Sequence, residues 1–180
     1  MARAFVAVVP PGPVLDAVAT TLDGLRTQTT DRARWTPRSQ WHLTLRFLGD
    51  HVDLDDAAAR LRAVRFDPFH VRLGGVGAFA RPTRANVLWL GVSEGCAPLT
   101  ALAGAVDAAT ESIVPADDTS FRAHLTVARF DRPADVRELV HHPDGDHVGP
   151  VWRVSEIVLM ESRLGRGPAE HHVHERITAR

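Results

Sequence analysis

His42-Leu43-Thr44-Leu45-Arg46-Phe47 has a near copy in His124-Leu125-Thr126-Val127-Ala128, and each half of the 180-residue chain carries one copy. In both copies apolar residues alternate with polar or small ones, and a period of two is typical of a β-strand. We therefore predict two strands. Histidine, threonine and Arg46 or Ala128 are expected on one face of each strand, while leucine, valine and Phe47 form the apolar face that packs on the core.

The repetition of the motif gives it functional weight. A single His-x-Thr sequence is common in strands, and a lone strand histidine is more often a hydrogen-bonded structural residue than a catalyst. Two matching copies instead indicate two similar units that face each other across a pseudo-twofold cleft. The sequence therefore predicts one groove lined by two imidazoles, His42 and His124, and two hydroxyls, Thr44 and Thr126.

Composition limits the class of protein. The chain is 44% hydrophobic and 24% charged, as in a globular protein of one domain or two small lobes. A net charge of −1 excludes a strongly basic field for holding long nucleic acids, and arginine dominates the cations, which favours bidentate phosphate contacts. The single cysteine, Cys96, excludes an intrachain disulfide and a four-thiolate zinc site. Without a long apolar run or a signal-peptide pattern, we expect a cytoplasmic protein with no membrane span.

Helical and strand periods interleave along the chain. The predicted order is strand, helix, strand, helix, strand, strand, helix, strand, helix, strand, strand. This order favours an α+β architecture with antiparallel pairs in a mixed sheet, built as a single domain over residues 1–180 from two closely packed lobes that each carry one His-Leu-Thr strand. Locally, we expect a loop over residues 29–34, a bulge or turn between strands at residues 74–77, and one strand over residues 151–160.

Two histidines in one groove suit general acid–base chemistry. Since imidazole titrates near neutrality, one ring can take a proton from a nucleophile while the other gives a proton to a leaving group. Threonine hydroxyls can donate hydrogen bonds to non-bridging phosphate oxygens, and Arg129 can supply a cation. This set fits in-line phosphoryl transfer, and a strained cyclic phosphodiester can be attacked by water without a metal.

The paired motifs resemble those of the two-histidine (2H) phosphoesterases, which carry two His-x-Thr/Ser sequences. The wider sequence is similar to one branch, the bacterial and archaeal RNA 2′,3′-cyclic phosphodiesterases, also called 2′-5′ RNA ligases. The similar segments run along nearly the whole chain: residues 5–10, Arg34-Trp35, residues 43–49, residues 87–92, Phe121, Arg129, residues 159–162 and residues 165–168.

The resemblance implies a bilobal 2H phosphoesterase-like fold, with two pseudo-symmetric lobes whose mixed or antiparallel sheets line a central groove and whose helices lie outside. It implies hydrolysis of RNA 2′,3′-cyclic phosphate ends to 2′-phosphates, with reversible 2′-5′ ligation and without a cofactor or metal. His42 would be the proton donor and His124 the proton acceptor, whereas Thr44, Thr126 and Arg129 would bind the phosphate. The implied partners are RNA ends or oligonucleotides with a 2′,3′-cyclic phosphate, bound by a monomer.

The chain departs from the family pattern at two places. Ala123 stands where the family often has proline, and the last segment lacks the tyrosine that family members often carry. His171 or His172 lies there instead, so base stacking would fall to these histidines or to Phe or Trp residues such as Trp35. From the residues alone, it stays open which of the paired histidines is the acid.

Three other functions are compatible with the sequence. The groove could hold an RNA end or a nucleotide without turning it over, although binding alone would need cations more than a matched acid and base. The substrate could also be a small cyclic nucleotide such as an ADP-ribose cyclic ester. Finally, a loop cluster could ligate a metal for a metal-dependent phosphodiesterase, though its spacing matches no standard zinc pattern. Its members are His141, His142, Asp144, Asp146 and His147.

Overall fold

The computed structural model describes residues 1–28, 33–115, 120–142, 145–165, 167 and 169–180. The strands described there are β1 (Ala2–Val8), β2 (Ala33–Trp35), β3 (Leu43–Val52), β4 (Phe69–Phe79), β5 (Ala85–Glu94), β6 (Leu125–Ala134), β7 (Val148–Val154), β8 (Glu156–Arg163) and β9 (Glu170–Thr178). The α-helices are α1 (Gly12–Thr27), α2 (Leu54–Leu61), α3 (Cys96–Thr110) and α4 (Arg137–Val140). The predicted α+β class is confirmed.

The two His-Leu-Thr strands lie side by side in the middle of the sheet. Its strand order is β7-β4-β5-β6-β3-β1-β8-β9, with β2 beside β6, and every pairing between described strands is antiparallel. Between β3 and β6 the only pair among the described residues is Leu43 with Leu125. The sheet is therefore two groups of strands that meet at this pair and diverge from it.

The helices cover the outer face of these two groups. Helix α1 packs on β7, whereas α3 packs on β3 and α2 lies against α3, β8 and β9. The apolar face of α1 is fully buried at Val14, Val18, Leu22 and Leu25. Because burial of one such side chain contributes about 1.5–3 kcal/mol, these contacts hold the helix on the sheet. Among the described residues, no helix is long and apolar enough to cross a membrane.

Each His-Leu-Thr strand contains a β-bulge at the same position of the motif. Leu45 is the extra residue in β3, and Val127 is the extra residue in β6. The neighbouring strands pair on either side of them: Ala7 with Thr44, Val6 with Arg46, Trp89 with Thr126 and Leu88 with Ala128. A bulge turns every following side chain to the opposite face of the strand, so the strict alternation predicted from the sequence ends at these two residues.

The prediction for Arg46 and Phe47 was wrong for this reason. Arg46 points to the helix side and is 8% exposed; its guanidinium pairs with Asp107 of α3 at 2.5 Å and donates to the carbonyl oxygens of Val114 and Pro115. Phe47, expected in the core, is 43% exposed and lines the groove. The same reversal brings Arg129 to the groove after Val127.

Three local predictions also needed correction or completion. Residues 151–160 do not form one strand, because the chain leaves β7 at Ser155 and starts β8, which pairs with β1 instead of β4. At residues 74–77 the bulge was the right alternative: β4 continues through the glycines with a register shift. Residues 33–34 of the expected loop belong to β2, while residues 29–32 lie outside the described part of the chain.

Candidate active site

The meeting point of β3 and β6 brings the predicted site residues together. His42 and His124 directly precede the paired Leu43 and Leu125, so the antiparallel register sets His42 beside Thr126 and His124 beside Thr44. These four side chains and Arg129 line one groove with a volume of about 840 Å³. The groove is widened by the divergence of the two strand groups.

Both histidines are held by the same local hydrogen bond. The Nδ1 of His42 lies 2.7 Å from the carbonyl oxygen of Gln40, and the Nδ1 of His124 lies 2.8 Å from that of Arg122. A carbonyl oxygen only accepts, so Nδ1 carries the proton in both rings. In the neutral rings Nε2 then has a free lone pair. The site therefore contains two nitrogens that can exchange protons with a bound molecule.

Aromatic rings shield each histidine from water. The Phe5 ring stacks on His42 at 4.7 Å between centroids, while Phe79 and Trp89 lie 4.9 and 6.1 Å from His124. Gly77 leaves the space that the Trp89 indole occupies beside His124, because a Cβ at residue 77 would lie 2.1 Å from the indole ring. The aromatic walls remove water from one side of each imidazole.

This environment lowers the pKa of both imidazoles. The pKa of His42 is lowered to about 4, chiefly by burial and also by His171 and His124, whereas the hydrogen bond to the Gln40 carbonyl acts to raise it. Burial also lowers the pKa of His124, helped by Arg129 and Arg122. Because desolvation disfavours the charged form, both rings are neutral at pH 7 in the unliganded groove.

The groove is electrostatically suited to an anion. Arg3, Arg34 and Arg129 line it, and no carboxylate occurs among its described lining residues. Arg3 pairs with Asp50 at 2.8 Å and Arg34 with Asp131 at 2.7 Å, whereas Arg129 makes no ion pair within the described part of the chain. Arg129 is therefore the cation most available to a bound phosphate.

The family comparison agrees with this site. A model of the 2′-5′ RNA ligase superfamily matches residues 14–166. The chain belongs to this superfamily. The resemblance stated from the paired motifs is thus confirmed.

Two relatives of this chain carry the same name. An RNA 2′,3′-cyclic phosphodiesterase of Aeropyrum pernix is 35% identical over 75% of this chain and 80% of its own length. An enzyme of the same name from Archaeoglobus fulgidus is 36% identical, covering 71% of this chain and 73% of its own.

Solved structures with the same fold match this chain over nearly its whole length. The structure of TT0787 from Thermus thermophilus has a TM-score of 0.77 and 28% identity, covering 98% of this chain and 97% of that chain. E. coli LigT complexed with NADP+ has a TM-score of 0.76 over 99% of this chain and 98% of that chain. Its identity of 22% shows the fold alone. The expected 2H phosphoesterase-like fold is confirmed.

Sequence reasoning missed part of the groove wall. His171 was considered only for base stacking, but its ring lies edge-on to His42 at 5.2 Å between centroids. Phe79 received no role, and no period or motif marks it as a neighbour of His124. Trp35 does line the groove, as considered, and Trp41 is buried in the core.

The described members of the loop cluster considered as a metal site are absent from the described groove lining; they are His141, His142, Asp146 and His147. Asp144 is outside the described part of the chain. Within that part, no group of three or more His, Cys, Asp or Glu side chains is arranged to hold a metal ion.

Proposed function

We propose that this protein hydrolyses RNA 2′,3′-cyclic phosphate ends to 2′-phosphates, and that it also catalyses reversible 2′-5′ RNA ligation. One observation carries the proposal: two imidazoles with the same Nδ1–H tautomer present their Nε2 atoms to one cationic groove. The names of the relatives support the choice of RNA as substrate. The proposal includes one domain over residues 1–180, a monomeric state and a cytoplasmic location.

The proposed reaction is an in-line displacement at phosphorus. His124 Nε2 takes a proton from water as the water oxygen bonds to phosphorus, and His42 Nε2 gives a proton to the 3′-oxygen as its bond to phosphorus breaks. Thr44 and Thr126 donate hydrogen bonds to the non-bridging oxygens, and Arg129 offsets their charge. After one turnover His124 is protonated and His42 is neutral. Exchange with solvent restores the starting state. In ligation a 5′-hydroxyl takes the place of water and the histidines keep their roles, whereas cleavage of the 2′-5′ linkage uses them in opposite roles.

The starting protonation state depends on the substrate. In the unliganded groove the pKa of His42 is about 4, so a proton does not stay on this ring at pH 7. A phosphodiester carries one negative charge, and a nearby anion favours the imidazolium form. We therefore propose that the general acid acquires its proton together with the substrate. The roles of His42 and His124 are taken from the family resemblance, because their hydrogen bonds are symmetric.

The first experiment follows an RNA with a 2′,3′-cyclic phosphate end by phosphorus NMR in the presence of a chelator. A 2′-phosphate product is expected. A 3′-phosphate would contradict the assigned leaving group, and binding without turnover would indicate an RNA-end-binding module. Loss of activity with the chelator, restored by a divalent metal, would refute the metal-independent mechanism.

Two substitutions test the two-histidine mechanism. His42→Ala and His124→Ala should each lower kcat by about 10²–10⁴-fold, which is the usual contribution of one acid or base. Circular dichroism and thermal denaturation check that the variants are folded. His70→Gln is the matched control, because His70 is an exposed residue of β4 that is absent from the described groove lining. Full activity in either alanine variant would exclude the mechanism.

A further inference from the structure

His171 is a third imidazole of the groove that the proposed reaction leaves without a role. It lies in β9 opposite Ser162 of β8, and both residues line the groove. Its ring contacts His42 and Phe5 edge-to-face, at 5.2 and 4.9 Å between centroids. His171 therefore lies next to one of the two proposed proton-transfer groups.

The two ring nitrogens of His171 are in different surroundings. Nδ1 is buried and has no hydrogen-bond partner within the described part of the chain. A proton on Nδ1 would leave a buried N–H group without an acceptor, which costs more than leaving a lone pair unused. The favoured neutral form therefore has its proton on Nε2, which is the nitrogen that remains available to a molecule bound in the groove. This is the opposite tautomer to that of His42 and His124.

The charge and position of His171 fit a neutral donor. Burial and the neighbouring His172 lower its pKa, so the ring is uncharged at pH 7. The start of β9 is held in place because the Gln40 side chain donates a hydrogen bond to the carbonyl oxygen of Ala169. The same Gln40 accepts the Nδ1–H of His42 with its backbone oxygen. One residue thus sets the positions of both rings.

We propose that His171 binds the substrate by donating a hydrogen bond from Nε2 to an oxygen of the phosphate beside His42. This inference rests on the proposed function and adds a substrate-binding residue to it. A neutral donor is useful at this place, because a cation in contact with His42 would repel the proton that His42 must acquire. Two neutral imidazoles of opposite tautomer can therefore act together, one holding the phosphate and the other transferring the proton.

The tautomer can be tested without turnover. Long-range ¹H–¹⁵N NMR spectra distinguish Nδ1–H from Nε2–H imidazoles, and the His171 signals are assigned from their loss in His171→Gln. We expect Nε2–H for His171 and Nδ1–H for His42 and His124. Inorganic phosphate should shift the Nε2–H proton resonance of His171. An Nδ1–H tautomer, or no response to bound phosphate, would overturn the inference.

Paired variants test the contribution to the reaction. His171→Phe keeps a ring against His42 but removes the donor, whereas His171→Gln keeps an amide N–H close to the place of Nε2. We expect the Phe variant to lose about 10- to 100-fold in kcat/KM, equivalent to about 1.4–2.8 kcal/mol, at both mildly acidic and neutral pH. The Gln variant should regain most of this loss, and His70→Gln should match the wild-type protein.

The outcomes separate a binding role from a structural one. Wild-type kcat/KM in His171→Phe would show that His171 only packs against its neighbours. A loss confined to acidic pH would show that His171 acts as a cation, which also contradicts the proposal. If the wild-type protein does not hydrolyse cyclic phosphate, the proposed function fails, and the NMR response of His171 to inorganic phosphate still decides this inference.

Discussion

Hydrolysis at low substrate concentration should be fastest on the acidic side of neutrality. The kcat/KM profile reports the pKa values of the free enzyme, and the reaction requires one proton shared by His42 and His124. This one-proton state is most populated between the two pKa values of the pair. Both pKa values are lowered below the ordinary 6.5, chiefly by burial. We therefore expect the maximum of kcat/KM below pH 6.5.

The size of the effect follows from the surroundings of His42. With a pKa of about 4, about one His42 in a thousand carries a proton at pH 7. A phosphate charge about 4 Å away, at an effective dielectric constant of about 20, stabilises the imidazolium by about 4 kcal/mol. This corresponds to about a thousandfold gain in proton affinity, or about three pH units. The kcat profile, which reports the enzyme–substrate complex, should therefore lie at higher pH than the kcat/KM profile.

The assay measures initial rates on an oligonucleotide ending in a 2′,3′-cyclic phosphate across the acidic and neutral range. Folding is checked at each pH, because histidines with a lowered pKa bind protons more readily in the unfolded chain. Stability therefore decreases as the pH falls from 6.5 towards the folded pKa of His42, about 4. His70→Gln, at an exposed residue outside the described groove lining, should give wild-type profiles. An alkaline midpoint of kcat/KM above pH 6.5, or coincident profiles for kcat and kcat/KM, would refute the reasoning.

Two further predictions concern the scaffold. Arg46→Ala should lower the free energy of unfolding by about 2–4 kcal/mol in urea denaturation, because the buried guanidinium loses its ion pair with the half-exposed Asp107 and its hydrogen bonds to two carbonyl oxygens. Arg60→Ala, which removes an exposed ion pair on α2, should leave it nearly unchanged, and equal effects would contradict the buried role of Arg46. Gly77→Ala should cost about 1–3 kcal/mol and change the fluorescence of Trp89, since its Cβ would meet the indole. Gly104→Ala in helix α3 should instead stabilise by about 0.5–1 kcal/mol, because its added Cβ would have no neighbour within 4 Å beyond the adjoining residues and the backbone of its own helix. Similar effects of the two glycine substitutions would refute the packing argument.

Helices and strands could be predicted mainly where apolar residues keep one spacing, helical or strand-like, along a whole segment. The apolar face of α1 and the strand character of β3 and β6 follow from local spacing, and both were found. The break at Ser155 could not be predicted, because β7 and β8 are both partly buried and their sequences join without a Gly or Pro signal. The pairing partner of each strand depends on contacts between residues that are far apart in the sequence, as for β7 with β4 and β8 with β1.

The candidate site was predictable in its chemistry but not in its environment. The repeated His-Leu-Thr identifies the four central side chains, and they do meet in one groove. The bulges at Leu45 and Val127 could not be predicted from the sequence. A bulge is an extra residue without a partner, so it is recognised only once the neighbouring strand and its register are known. The sequence also could not show that Phe5 stacks on His42, because the two belong to different strands.

The sequence by itself determined the α+β class, the family and the pair of His-Leu-Thr motifs, because these depend on residue identity and local period. The tertiary structure alone decided the protonation of the histidines. A pKa depends on desolvation and on neighbouring charges, and the groups that bury His42 and His124 come from separate segments of the chain. It also brought His171 to His42 from the last strand, and turned Arg129 and Phe47 to the groove through two bulges.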